Sequence, residues 1–439
     1  MIDWWIALSG AITLLLALLF LGIPIFVAFL ILNVAGILVL MGPAGFGMFA
    51  NSIFTTATTT ALATVPLFIV MGEILFRSGA MEAVFDSLDR LIGRIRGRQY
   101  VLCILLSAIL GALSGAAMAV AGLLGRSLFP TMRARGYNTR LSAGTILAGA
   151  CLDPIIPPSV LAILIAALAE ISTAGLLIAG IIPGLMLTCL FLVYVMYRVW
   201  RDPSLAPDVS VDVAGATKQS AAMAALRILP CAFVFFMVMG LIMFGVATPT
   251  EAAATGVFGA VIVAIIYRRL SWRMMVEAFT TAATVSTLLL VIMCSAVMFS
   301  QLLTFTGATR AVAELVAHLD LHATVMLLAM LALPFILFMF LDQLALMLVL
   351  IPIYQPLLKH YAFDPIWFWT LFLIVATVGG LTPPFGYVLF ALKSAAPDLP
   401  TAEIYRASWP FVWLIVLGLF ILIAFPPLVT FLPNLMRPA

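Results

Sequence analysis

Asp153 stands four residues before a double proline, Pro157-Pro158, in the string GACLDPIIPPS, and Asp342 interrupts the apolar run FMFLDQLALM, 41 residues before a second double proline, Pro383-Pro384. A carboxylate inside an apolar segment is rare and needs an ion, a proton or backbone N–H groups to hold it. Proline removes an N–H and clashes with the preceding turn, so carbonyls near each pair lose their helical donors. At membrane depth such oxygens are hard ligands for Na⁺, while a helix N-terminus exposed at a break attracts a carboxylate. For both acids the residues leave two roles open: an ion ligand, proton site or gate, or a cap on a half-helix. Glu251, after Thr248-Pro249-Thr250, reads as an N-terminal cap, and Glu73 pairs with Arg77 one turn on. The three histidines do not cluster, and P-loop, GxSxG and HExxH motifs are absent. An ATP-driven pump, a metal centre or a hydrolase therefore has no motif in its favour.

The punctuation is duplicated. Gly79, Ser114-Gly115 and Pro157 follow one another at intervals of 35 and 43 residues; Gly307, Asp342 and Pro383 follow at 35 and 41, and Pro24 and Pro249 are 225 apart. Matching helix-breakers in two apolar halves indicate a secondary transporter built from structural repeats. The 439 residues are 65% hydrophobic and 9% charged, too few charges to surround one soluble core. The expectation is an all-α polytopic membrane protein. Its net charge of +3 reflects loop residues that orient the chain, so no nucleic-acid partner is expected. The five cysteines are scattered, without CxxC, and read as buried, inert thiols. The first apolar run lacks a basic leader and reads as a retained span.

Spans of ~20 apolar residues are expected at roughly 3–21, 25–41, 56–77, 142–168, 174–198, 227–247, 251–267, 281–303, 366–392 and 409–432. Residues 99–130 and 323–356 behave differently. Each is an apolar stretch too long for one crossing and broken in the middle, at Ser114 and at Asp342, which predicts two re-entrant hairpins. Amphipathic helices are predicted before them, over 80–92 and 308–318. With ten spans, Arg310, Lys359 and Arg437 lie outside and the other 18 of 21 Lys/Arg lie on the cytoplasmic side. That bias places both termini outside and makes the repeats inverted: 1–200 with broken span 142–168, and 223–439 with broken span 366–392, joined by a linker, 201–222. Each hairpin tip is expected to face the broken span that follows it. There Gly149, Ser159, Gly379, Gly380, Thr382 and Gly386 permit close backbone approach or supply hydroxyls. A scaffold is expected from residues 1–55, 174–198, 223–280 and 409–439, with hairpins and broken spans sliding as one body.

Taken in order, VPLFIVMGEILFRSG (65–79), GALSGAA (111–117), FPTMRARGY (129–137), IIPPS (155–159), IAGIIPGLM (178–186), VATPTEAAATG (246–256), LDQLALMLVLIPI (341–353) and GGLTPPFG (379–386) resemble the large membrane subunit of tripartite ATP-independent periplasmic (TRAP) transporters. The resemblance covers nearly the whole chain. It implies an elevator-type, sodium-driven importer of organic acids in the bacterial inner membrane, with no cofactor beyond Na⁺ as coupling ion. Its implied partners are a small four-helix membrane subunit and a periplasmic solute-binding protein. The family's ion sites map onto Ser114, Gly115, Pro157, Pro158, Ser159, Asp342, Thr382, Pro383 and Pro384, to which the residue reading adds Gly149, Asp153, Gly379 and Gly380. Solute contacts are expected at Ser114, Ala116, Ala117, Arg126, Asp342 and Gly386. Two departures stand out. The family's hydroxyl-rich first tip, SGSSxAT, here reads SGAAMAV, and the usual GTxGxxIPPS here carries Asp153-Pro154. Asp153 is expected to compensate for the lost hydroxyls or to change the coupling ion. The rival readings are a stand-alone carboxylate symporter or antiporter, an assembly subunit, and an intramembrane enzyme with Asp153 and Asp342 as an acid pair.

Overall fold

The structure, a computed structural model, describes residues 3–93, 95–114, 117–207, 221–318 and 321–436. Among these, regular structure is helical throughout. The first half holds α1 (Trp4–Phe20), α2 (Ile25–Leu40), α3 (Gly45–Ala57), α4 (Thr60–Arg77), α5 (Ala80–Leu91), α6 (Arg98–Ser114), α7 (Ala117–Ala134), α8 (Thr139–Ala150), α9 (Val160–Leu168), α10 (Thr173–Ala179) and α11 (Ile181–Arg201). The second half holds α12 (Ala221–Met243), α13 (Pro249–Ile266), α14 (Trp272–Phe305), α15 (Ala308–His318), α16 (Ala323–Leu337), α17 (Gln343–His360), α18 (Pro365–Leu381), α19 (Tyr387–Ala395), α20 (Thr401–Ala424) and α21 (Pro427–Leu435). Five described helices are long and apolar enough to cross a membrane, six if the bent pair α3–α4 counts as one span. Others fall short because the chain breaks them.

The halves correspond at several points. Gly79 and Gly307, both left-handed (φ 76° and 74°), end one helix and open α5 and α15; a side chain is disfavoured at that φ. Asn138 and Asp364, 226 residues apart, cap α8 and α18 by accepting N–H bonds from Leu141 (3.0 Å) and Trp367 (2.9 Å). Pro157-Pro158 and Pro383-Pro384 are both cis. Packing follows the same rule: α6 lies on α8 and α16 on α18, while α19 crosses onto α7 and α9 onto α17. Even charges repeat. A cleft of about 350 Å³ where α9 ends holds Glu170 and Lys359, and its counterpart of about 400 Å³ where α19 ends holds Asp398 and Arg133.

Several expectations change. The span expected over 56–77 is bent by 47° between α3 and α4, and α14 is one helix starting nine residues before 281, capped by Ser271. Residues 174–198 and the described part of 409–439, expected in the scaffold, pack instead with the hairpins and broken spans. α11 lies on α6, α8 and α20, and α20 on α8 and α18. The cause is side-chain fit: the Phe191 and Phe411 rings meet edge to face at 5.5 Å, and Gly418 lies against Leu187. A frame of α1–α4 and α12–α14 packs with α4 against α13 and α14, and α14 against α2; it meets the hairpins and broken spans where α4 touches α6 and α9 and where α14 touches α17. Arg77 ties that frame together, reaching Glu73 (2.9 Å) and Glu277 (2.7 Å). Glu251 caps as expected, but from the third helical position, in a capping box with Thr248. Of the cysteines, 103, 151 and 231 are buried, whereas Cys294 is half-buried and Cys189 exposed on the outer side of α11.

The linker is anchored where it leaves α11. Leu205 and Ala206 are buried, the Tyr100 hydroxyl donates to the Leu205 carbonyl (2.6 Å) and accepts from Asn138 N–H (3.1 Å), and Arg96 donates to the Ala206 carbonyl. Removing the hydroxyl while keeping the ring loses about 1 kcal/mol. Tyr100→Phe is expected to speed limited proteolysis around 202–207 several-fold at unchanged oligomeric size; an unchanged cleavage rate refutes this anchoring.

Candidate ion and solute site

Between α8 and α9 the backbone leaves helical geometry over 151–159, and all nine residues are buried. Prolines at 154, 157 and 158 deny helical donors to the carbonyls of Ala150, Asp153 and Pro154. The chain partly answers by tightening: Leu152 N–H reaches Gly149 (3.0 Å) and Asp153 N–H reaches Ala150 (3.4 Å). Ser159 ends the break by capping α9, accepting from Ala162 N–H (3.1 Å). Asp153 is fully buried, directly beside the first hairpin. A Cβ on Gly111 of α6 would fall 2.7 Å from the Asp153 Cα, and one on Gly149 2.2 Å from the Ser107 Oγ. Gly180, on the far side, lies against the Ile155 carbonyl at 2.3 Å in the same sense. Glycines on three elements thus hold the carboxylate-bearing backbone at contact distance.

The second break, 382–386, is shorter. Thr382 Oγ1 donates to the Val378 carbonyl (2.7 Å), Thr382 N–H reaches Gly379 (3.2 Å), and Tyr405 Oη donates to the Pro384 carbonyl (2.7 Å). Hairpin α16–α17 meets it at Gly379, where a Cβ would fall 2.2 Å from the Phe338 Cβ. The Gln343 amide donates to the Ala376 carbonyl. Gly386 lies on the Gly380 carbonyl, and the Tyr387 ring lies over Gly380. At the outer rim Phe340 and Phe385 are exposed and face one another at 6.4 Å between centroids.

Each hairpin therefore touches the broken span that follows it, with the small residue exchanged between partners: Gly111 admits Asp153 in one repeat, and Gly379 admits Phe338 in the other. Asp342 takes the capping role, its carboxylate accepting from Leu344 N–H (2.8 Å) and Ala345 N–H (3.3 Å) at the start of α17. Ser114 closes α6 and Ala117, buried, opens α7; Gly115 and Ala116 lie outside the described residues. Arg126 is exposed, its guanidinium against Gly122, and the structure does not bring it to either break. Gln343, Tyr387 and Cys151 were not singled out as site residues in sequence, and Gly111 was marked only as part of the break in the first hairpin. Their signal was weak, because each is an ordinary residue within an apolar run. Among the described residues no group of three or more His, Cys, Asp or Glu side chains that could hold a metal ion occurs.

A duplicated helical body with paired broken spans defines a multi-pass membrane transporter. The model of the family described as tripartite ATP-independent periplasmic transporter, DctM component, matches residues 12–428, and the chain belongs to that family. It is 29% identical over 399 residues to the C4-dicarboxylate TRAP transporter large permease protein DctM of Pseudomonas aeruginosa, covering 90% of each chain. To the ectoine TRAP transporter large permease protein TeaC of Halomonas elongata it is 27% identical, over 96% of this chain and 97% of that one. In fold it is similar to the YdaH transporter of Alcanivorax borkumensis, with TM-score 0.63 and 15% identity over 88% and 89% of the two chains. The relatives are permease subunits, which removes the intramembrane-enzyme reading of Asp153 and Asp342.

Core glycines make a direct test. Gly111→Ala and Gly379→Ala each force a methyl into backbone or Cβ contact and are expected to cost about 1–3 kcal/mol. Gly240→Ala, with open space around it, is the control. Thermal unfolding in detergent should lower the midpoint for the first two only.

Proposed function

We propose that this chain is the solute-carrying membrane subunit of a TRAP transporter in a bacterial inner membrane, importing an organic acid down a Na⁺ gradient. The observation that carries the reading is the pairing, in both repeats, of a hairpin with a broken span whose buried backbone has lost helical donors. Such backbone is tolerated at membrane depth only where protein, water or an ion satisfies it. Carbonyls of Ala150, Asp153 and Pro154, with the Asp153 carboxylate, suit a hard cation in the first pocket; those of Gly379 and Gly380, with Thr382 and the α17 start at Asp342, suit one in the second. Helix N-termini stand at both breaks, those of α9 and α19, and at the start of the second hairpin's return, that of α17, and a helix N-terminus favours a carboxylate. Organic acids fit both the C4-dicarboxylate and the ectoine relative, since each solute bears a carboxylate.

The body of hairpins, broken spans, α11 and α20 moves as one unit against the frame, in an elevator mechanism. A small four-helix membrane subunit completes the frame, and a periplasmic binding protein delivers the solute. Alternating access needs ions and solute to bind one hairpin position better than the other, because a ligand without differential affinity shifts nothing.

Reconstituted with both partners, the chain is expected to accumulate solute only under an inward Na⁺ gradient. Asp153→Asn removes a charge–cation contact of about 1.5–3 kcal/mol, so uptake at fixed Na⁺ should fall about tenfold or more. Measuring the variant also in a sodium-free proton gradient distinguishes an ion ligand from a changed coupling ion. Unaltered rate and sodium dependence would exclude any role for Asp153 in coupling.

A further inference from the structure

The frame carries a hydroxyl-rich repeat of its own, apart from both breaks. FTTATT at 54–59 and FTTAAT at 279–284 stand 225 residues apart, the same offset as Pro24 and Pro249. The first ends at the bend from α3 to α4, and the second lies inside α14, which packs along both helices. Between them is a cavity of about 440 Å³, lined by Thr58 and Thr59 at the bend and by Ser286 and Thr287 on α14. Among the described residues, Leu164 of α9 alone reaches it from outside the frame, and neither break lines it. The hydroxyls differ in what they have left to give. Thr58 and Thr59 donate back to the carbonyls of Phe54 (2.8 Å) and Thr55 (2.9 Å). The Ser286 Oγ is buried and has no hydrogen-bond partner among the described residues, so its O–H is free to donate. Thr287 is exposed beside it. α4 also begins in this wall, and its N-cap residue Thr59 makes no side-chain cap.

We propose that this cavity is the frame's half of the solute path, taking the carboxylate of the organic acid on the Ser286 and Thr287 hydroxyls beside the start of α4. The inference rests on the organic-acid reading above. A cavity of this size suits a small molecule rather than a single ion. A buried hydroxyl without a partner is unfavourable, and a carboxylate offers Ser286 a charge-assisted bond. No charged side chain lines the cavity, so a solute held there is held by neutral donors and can leave. Leu164 travels with the body of hairpins and broken spans, while the hydroxyls stay with the frame. The solute therefore meets both walls in one position of the body only. A contact of that kind supplies the differential affinity that alternating access requires.

The test is thiol labelling of the full chain in nanodiscs, with each modified peptide identified by mass so that the native cysteines do not interfere. Ser286→Cys and Thr287→Cys place thiols in the cavity wall. Val285→Cys and Leu288→Cys, exposed on the same helix outside the cavity, are the controls. Only a thiolate reacts, and an apolar surround suppresses it. The anionic reagent sulfonatoethyl methanethiosulfonate is therefore expected to modify the first pair about tenfold or more faster than the second. Normalised to free cysteine, it should also outpace its trimethylammonium analogue at 286 and 287. Sodium acetate should slow it there severalfold relative to sodium chloride at equal ionic strength. The variant at 287 carries the test if that at 286 does not fold. Equal rates at all four positions, a faster cationic reagent in the cavity, or no protection by acetate overturns the proposal, and each leaves Na⁺-driven uptake by the reconstituted transporter standing. Labelling as expected in a transporter that accumulates no organic acid removes the organic-acid reading, and the solute role of the cavity with it.

Discussion

Backbone polar groups in an apolar surround must find partners, and almost everything distinctive in this chain follows from the places where they do not find them within a helix. An unbroken helix satisfies itself. A break at membrane depth does not, and an unsatisfied group there costs several kcal/mol. The two breaks answer with tightened turns at Leu152 and Thr382, a serine cap on α9, a tyrosine hydroxyl on Pro384, and close packing by hairpins. The carbonyls of Asp153, Pro154 and Gly380 keep no helical donor, because a proline stands four residues on from each.

The same constraint explains why α18 is the axis of the molecule. Every residue from Ile366 to Leu381 is buried, so its last turn cannot turn to solvent. Instead it takes contacts from the second hairpin, the first break and α19. Glycine appears there because backbone meets backbone or Cβ at distances a side chain would prevent: at Gly379 and Gly380 on α18, and at Gly111 on the facing hairpin. The repeats solve one problem with the glycine on opposite partners, as duplicated elements can once each has its own sequence.

Family membership and fold speak to different questions. The family match spans nearly the whole chain and defines the kind of protein. The likeness in fold at 15% identity reaches only the architecture. Neither chooses a solute.

The sequence alone determined the class, the duplication and the places of the breaks, because these depend on local physics: apolar length, proline's missing N–H and glycine's freedom at Gly79 and Gly307. It also marked Asp153 and Asp342 as needing a reason. Where each of them lies was decided by tertiary structure. Asp342 caps α17 and Asp153 is buried against Gly111, and no spacing along the chain separates those outcomes. The packing of α11 and α20 with the hairpins and broken spans, the anchoring of Leu205 by Tyr100 and the meeting of Gln343, Tyr387 and Cys151 at one turn of α18 likewise depend on contacts between residues far apart in sequence. An all-apolar helix has no polar face to declare which neighbour it will take; only shape, ring against glycine and methyl against groove, makes that choice.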